Sequence, residues 1–255
     1  MLDDFIFCGR DIAEFGACAA FGESMTTGTE IDRMAYGLPG GGSVILGAPS
    51  KKAITRNVVI MPADGVTGDE KWVRRVTHFL MQGRGQLVLK HDPDVFRLAE
   101  FNAAPTYGAK IWPGGGLQMR MTLGPMAFAQ GESRATGSTD GGEAALRLLM
   151  DTAERAPLHV TITCTSGTIT AASLTANGQT LSLEGMSLLA GESVSVRCAD
   201  MLLGELAEVR MGEAMCFELV STWAQLEAGN GEEIRVRVTG GEASIRISAR
   251  ARYYA

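Results

Sequence analysis

The sequence predicts a mainly β protein built as two β-sandwich-like domains, the first of which also carries a single α-helix. Three observations point there. Apolar and polar residues alternate with period two in segment after segment, the mark of strands with one buried face. There are 32 glycines against only 20% charged residues, a balance that suits strands and turns better than long solvated helices. A polar, glycine-rich stretch, 130–142, divides the chain near its middle. A length of 255 residues can bury a sizeable core in one large or two modest domains, and the expected division is 1–131 and 132–255.

The opening Phe5-Ile6-Phe7-Cys8-Gly9 through Phe15-Gly16 reads as a strand and turn. From Glu23 to Ser50 small residues, Thr and Gly surround the β-compatible Ser43-Val44-Ile45-Leu46, which reads as a long β excursion. Ile54 to Met61 is β-branched and stops at Pro62, a strand with a proline at its end. The one convincing helix spans about 69–82. Thr67 and Glu70 have capping-box spacing, Trp72, Val76, Phe79 and Leu80 share a helical face, and Gly83 ends it. Gln86 to Leu89 and Val95 to Phe101 flank Lys90-His91-Asp92-Pro93-Asp94, which predicts a hairpin with a proline-containing turn. Leu117, Met119, Met121 and Leu123 then alternate with polar residues, a further half-buried strand.

Gln130 to Gly142 has no apolar residue except Ala135 and is expected to be the linker. Beyond it, Glu143 to Met150 combines strong helix formers with a place where a sandwich needs its first strand, and is read as a strand. Val160, Ile162 and Cys164 alternate with threonines, Asn177-Gly178 has two-residue hairpin composition, and Val194, Val196 and Cys198 alternate again. Ile234, Val236 and Val238, then Ile245, Ile247, Ala249 and Ala251, complete a sandwich pattern.

A formal net charge of −6 argues against sequence-specific or general nucleic-acid binding, which needs a basic surface. No apolar run is long enough to span a membrane, and the N-terminus lacks the basic-then-apolar order of a signal peptide, so folding in the cytoplasm is expected. Five cysteines, Cys8, Cys18, Cys164, Cys198 and Cys216, form no CxxC pair and are read as reduced, small buried hydrophobes.

Chemistry is sparse. His78, His91 and His159 are too scattered for a metal cluster. Asp92 and Asp94 could form an acid/base pair, but a turn uses such residues anyway. The runs Gly40-Gly41-Gly42 and Gly114-Gly115-Gly116 lead into no helix that could cradle phosphate and read as loops or hairpin tips. No nucleophile elbow, P-loop or zinc-peptidase motif occurs. Arg235, Arg237, Arg246, Arg250 and Arg252 read as a solvated sheet face, and Trp223 with Leu226 as pins on the sandwich core. No catalytic, cofactor-binding or metal-ligating residue is assigned, and no cofactor is expected.

Taken in order, Phe5 to Gly16, the helix ending near Gly83, the hairpin Leu87-Val88-Leu89 to Phe96-Arg97-Leu98-Ala99, Trp223-x-x-Leu226-x-x-Gly229-Asn230, Ile234-x-Val236 and the closing Ile247 to Tyr254 resemble phage distal tail proteins. The resemblance spans nearly the whole chain. It implies an N-terminal β domain that closes into a homo-hexameric ring, with 23–50 as a long hairpin packed on the neighbouring subunit, and a galectin-like C-terminal sandwich. It further implies a virion tail protein, a hub between tail tube protein and baseplate that holds receptor-binding or adhesion proteins, and no enzyme. The C-terminal half lacks the ordered His, Asn, Arg and Trp set with which galectins grip a sugar. The rival reading is a carbohydrate-binding adhesion module that uses Trp223.

Overall fold

Alternation along the chain is translated almost residue for residue into buried and exposed faces. The computed structural model describes residues 4–21, 30–38, 42–102, 106–108 and 115–254. The protein is mainly β and divides into two compact units, Met1–Gln130 with Tyr254–Ala255, and Gly131–Tyr253.

In the first unit, β1 (Phe5–Phe7), β2 (Arg10–Asp11) and β3 (Ala17–Phe21) are followed by β4 (Glu30–Leu38), β5 (Gly42–Lys52) and β6 (Ile54–Pro62), then α1 (Glu70–Leu80), β7 (Gly85–Leu89), β8 (Asp92–Phe101), β9 (Thr106–Gly108) and β10 (Gly116–Ala129). The main antiparallel sheet runs β2-β1-β7-β8-β10-β6-β3, with β9 also on β10. The excursion expected over 23–50 holds β4 and β5, paired antiparallel from Glu30↔Lys52 to Leu38↔Gly42; residues 22–29 and 39–41, and with them the loop or tip expected at Gly40 and Gly41, lie outside the described residues.

Helix α1 lies on this sheet because its apolar stripe matches the sheet's. Trp72, Val76, Phe79 and Leu80 are buried with Phe5, Phe7, Leu87, Phe101, Leu117, Met119, Met121 and Leu123. Phe79 stacks on Phe15 at 4.1 Å between centroids and meets Phe7 edge-on, arrangements that add to simple area burial. Polar handles fix the helix as well: Trp72 Nε1 donates to the Gly16 carbonyl at 3.1 Å, and Arg75 to that of Phe15 at 2.7 Å. The cap differs from the expected one. Asp69, not Thr67, is the N-cap, its carboxylate accepting from Trp72 N–H at 2.8 Å, because the helix starts at Glu70 and a cap must directly precede the first turn.

The β7–β8 hairpin forms, but its turn is only Lys90-His91; Asp92, Pro93 and Asp94 already belong to β8, with Leu89 opposite Asp92. Proline is tolerated there because it sits at the beginning of the strand.

The second unit contains β11 (Ser133–Ser138), β12 (Glu143–Arg147), β13 (Ala156–Pro157), β14 (His159–Ala176), β15 (Gln179–Leu189), β16 (Ser193–Arg197), β17 (Glu208–Met211), β18 (Ala214–Met215), β19 (Val220–Thr222), β20 (Glu227–Ala228) and β21 (Glu233–Ala249). Two long strands organise it. The first part of β14 pairs with β16 and with the last part of β21, while its last part pairs with β15 and with the first part of β21. Between them the register shifts at Cys164/Ser166 and Gly167/Ala171. The sheet therefore curls into a sandwich-like shape, with Leu174, Leu181, Leu183, Ile234 and Val236 buried on one half and Val160, Ile162, Val194, Val196, Ile245 and Ile247 on the other.

The turn of the sheet depends on glycine. A Cβ on Gly240 (φ +93°) would stand 2.5 Å from the Thr168 carbonyl oxygen, and one on Gly241 the same distance from that of Ser166. The Asn177-Gly178 hairpin also forms, both residues at positive φ of 50° and 72°, as a two-residue turn between twisted strands requires.

The linker expectation is corrected. Ser133–Ser138 is strand β11, paired with β21 from Ser133↔Ala249 to Ser138↔Ser244; a polar segment can be a strand when a neighbour's backbone supplies its hydrogen bonds. Glu143–Arg147 is the expected strand, paired with β21 from Glu143↔Arg237 to Arg147↔Glu233.

Candidate functional site

The residues with the most chemistry are dispersed. His78 is exposed on α1, His91 is exposed in the β7–β8 turn, and His159 is half-buried at the start of β14. Desolvation lowers the His159 pKa from its ordinary value, and the Arg197 charge opposite it adds to the effect. Asp92 is half-buried and Asp94 exposed along the β8 edge of the turn. Among the described residues no group of three or more His, Cys, Asp or Glu side chains is placed to share a metal ion.

The cysteines divide. Cys164 and Cys198 are buried, Cys18 and Cys216 half-buried, and Cys8 exposed. Cys8 departs from the expected burial because it occupies the β1–β2 turn at a positive φ of 51°, where the chain reverses at the surface.

The arginine series is corrected in one member. Arg235 pairs with Glu233 at 2.6 Å and Arg237 with Glu143 at 3.0 Å on an exposed face, and Arg246 is exposed. Arg252 instead turns inward and meets Asp200 at 2.8 Å, both side chains less than a tenth exposed. Asp200 is itself held by the Leu202 and Leu203 backbone N–H groups, and Arg252 donates to the Arg155 carbonyl at 3.3 Å. The pair anchors the loop between β16 and β17 to the end of the unit. Nothing in the sequence announces it, since the partners lie far apart in the chain.

Trp223 is also corrected. Leu226 is fully buried as a core pin, but Trp223 is 41% exposed and lies beside Phe217, itself 45% exposed, with ring centroids 6.4 Å apart. The 3-10 turn Phe217–Leu219 between β18 and β19 turns Leu219 inward and leaves Phe217 outside.

The remaining functional geometry is in backbone edges. Strands β2 and β3 end the main sheet of the first unit, and β4–β5 forms a separate two-stranded ribbon. Among the described residues, β18 pairs only with β17, and β19 only with β15. Unpaired edges of this kind accept a further strand from another chain.

No protein-family model and no curated protein matches the chain. Solved structures do. The SPP1 Dit protein, described as a paradigm of the hub adsorption apparatus in phages that infect Gram-positive bacteria, superposes with a TM-score of 0.69 at 11% identity, over 98% of this chain and 99% of that one. The fold is that of Dit. A chain from the phage P2 baseplate in its Ca-activated conformation matches at a TM-score of 0.50 and 10% identity, again over 98% and 99%. The likeness to Dit spans both units, with 11% of residues identical.

Proposed function

We propose that this chain is a structural component of a phage-type tail: a distal tail hub protein, six copies of which close into a ring joining the tail tube to the baseplate or adhesion apparatus. The observation that carries the reading is the end-to-end fold likeness to SPP1 Dit, 98% of one chain against 99% of the other. In this reading the N-terminal domain, 1–131, forms the ring and the C-terminal domain, 132–255, is available to adhesion components. The role is structural rather than catalytic, and the place of action is the virion tail after assembly in the host cytoplasm.

The physics of the first unit supports ring closure. Its open edges and the β4–β5 ribbon offer unlike surfaces for a head-to-tail contact, which closes when the rotation divides the circle. A net charge of −6 on every copy would discourage DNA from adhering to the channel it passes through. Light scattering on the purified chain should give six times its 27.0 kDa mass, and negative-stain images should show rings. A monomer at every concentration, with no ring in assembled particles, overturns the proposal.

A further inference from the structure

One face of the second unit carries side chains that its core does not use. Met215 on β18, Phe217 in the following turn and Trp223 just after β19 are 47%, 45% and 41% exposed, and the Phe217 and Trp223 rings adjoin at a 56° tilt. Large apolar side chains gathered outside a core leave unfavourable contact with water that a partner would relieve.

The setting is mainly anionic: the cation opposite Met215, Arg210, is already paired with Glu208 at 3.0 Å. From Met211 to Gly229 the chain has Glu213, Glu218 and Glu227 and no Lys, Arg or His; β15, which borders this face, has Glu184 and no cation. Leu183 lies opposite Val220, so Glu184 follows directly beside the turn. Glu184, Glu213 and Glu218 are all exposed, and none has a cationic partner among the described residues. An aromatic centre inside a carboxylate rim suits an arginine or lysine: its charge meets the glutamates while its stem and guanidinium plane lie on the rings.

We propose that this face, bounded by Met215, Phe217, Trp223, Glu184, Glu213 and Glu218, docks a basic segment of another protein, an extended stretch bearing Arg or Lys and an aliphatic anchor. The open edges of β18 and β19 flank the aromatic pair and are available to such a stretch by strand addition. Two polar side chains beside Trp223 are already engaged, Ser221 donating to the Ser182 carbonyl and Gln225 to that of Ala199, and sugar binding is an outcome that the test below separates. The inference deepens the hub reading by naming where, and with what chemistry, an adhesion component attaches.

The test uses the full chain and fluorescence anisotropy with synthetic peptides of about twelve residues alternating Arg and Leu, Glu and Leu, or Ser and Leu. Neutral galactose- and glucose-terminated oligosaccharides are titrated in parallel. The Arg peptide should bind at least about tenfold more tightly than the others at low salt and weaken as salt rises. Trp223→Ala should cost about tenfold or more, and the surface variant Glu213→Lys with Glu218→Lys should shift the preference to the Glu peptide. Equal affinity for the three peptides, variants that bind like the parent, or oligosaccharide binding that depends on Trp223 while peptides fail, each overturns the proposal. Light scattering on every variant reads the ring separately, so a lost ring counts against the hub reading and a lost peptide against this face.

Discussion

At the residue scale, the second unit depends on a few polar side chains removed from water. The Arg252–Asp200 pair is the clearest. Each ion loses hydration on burial and recovers it through the other and through backbone donors, so removing one leaves a buried charge without its counterion. Asp200→Ala should lower stability by about 3 to 5 kcal/mol, and Asp200→Leu with Arg252→Met by clearly less, as read by urea unfolding. Equal losses would mean the ion pair is not what holds the 199–206 loop. His159 gives a pH signature. Because burial and the facing Arg197 hold its pKa below 6.5, the unfolded chain binds the proton more readily. The stability this contributes is whole above 6.5 and is lost as pH falls through that value toward the folded pKa. Nearby Glu132, Glu205 and Glu208 oppose the shift without reversing it. Acidifying from about pH 7 to about pH 5 should therefore lower the unfolding midpoint in the parent and do so less in His159→Gln. Glu208 and Glu232, whose hydrogen bonds to Arg210 and Arg155 lower their pKa values, act only below their ordinary 4.5, so parallel slopes for the two proteins would exclude His159 as the source.

At the element scale, the corner shared by β14 and β21 decides the shape of the second unit. Two backbones approach so closely there that Gly240 and Gly241 have no room for a side chain. Gly240 also holds a left-handed φ that other residues adopt only with strain. Gly240→Ala should destabilise the chain by about 2 kcal/mol or more, since both the contact and the backbone angle oppose it. Gly178→Ala is a useful control: its φ is likewise positive, but nothing stands within 4 Å of the added Cβ, so only the conformational term of about 1 kcal/mol applies. Matching midpoints for the two variants in thermal unfolding would show that the close approach carries no weight. Helix α1 follows a different logic. Its stripe of Trp72, Val76, Phe79 and Leu80 is visible as spacing, and Asp69 takes the cap because the residue next to the first turn is the one whose side chain can reach its free N–H groups.

At the scale of the whole molecule, each unit has a curled or helix-covered sheet with its own buried residues, and what remains unsatisfied is at the margins. In the proposed ring, the sheet edges of the first unit are the surfaces that copies of the same chain would share. The proposed ring should persist on dilution to concentrations where weak association fails, because a copy cannot leave a closed circle without breaking two contacts. Mass photometry across a dilution series checks this, with a smooth descent through pentamer, tetramer and smaller species counting against closure.

The amino-acid order by itself determined the class of the fold, most strand positions and the helix. These depend on periodicity, which is a property of neighbours in the chain: Leu117 to Leu123 or Ile234 to Val238 must bury alternate side chains wherever the strand goes. The Asn177-Gly178 turn was legible for the same local reason. What only the tertiary structure decided is everything that depends on distant partners. Ser133–Ser138 is a strand because the β21 backbone lies beside it, although its own side chains carry no apolar signal. Arg252 is buried and not solvated because Asp200 meets it from another loop. Trp223 is exposed because a short turn places Leu219 and Leu226, and not the indole, toward the core. In each case side-chain identity leaves the outcome open, and the free energy of a contact across the fold closes it.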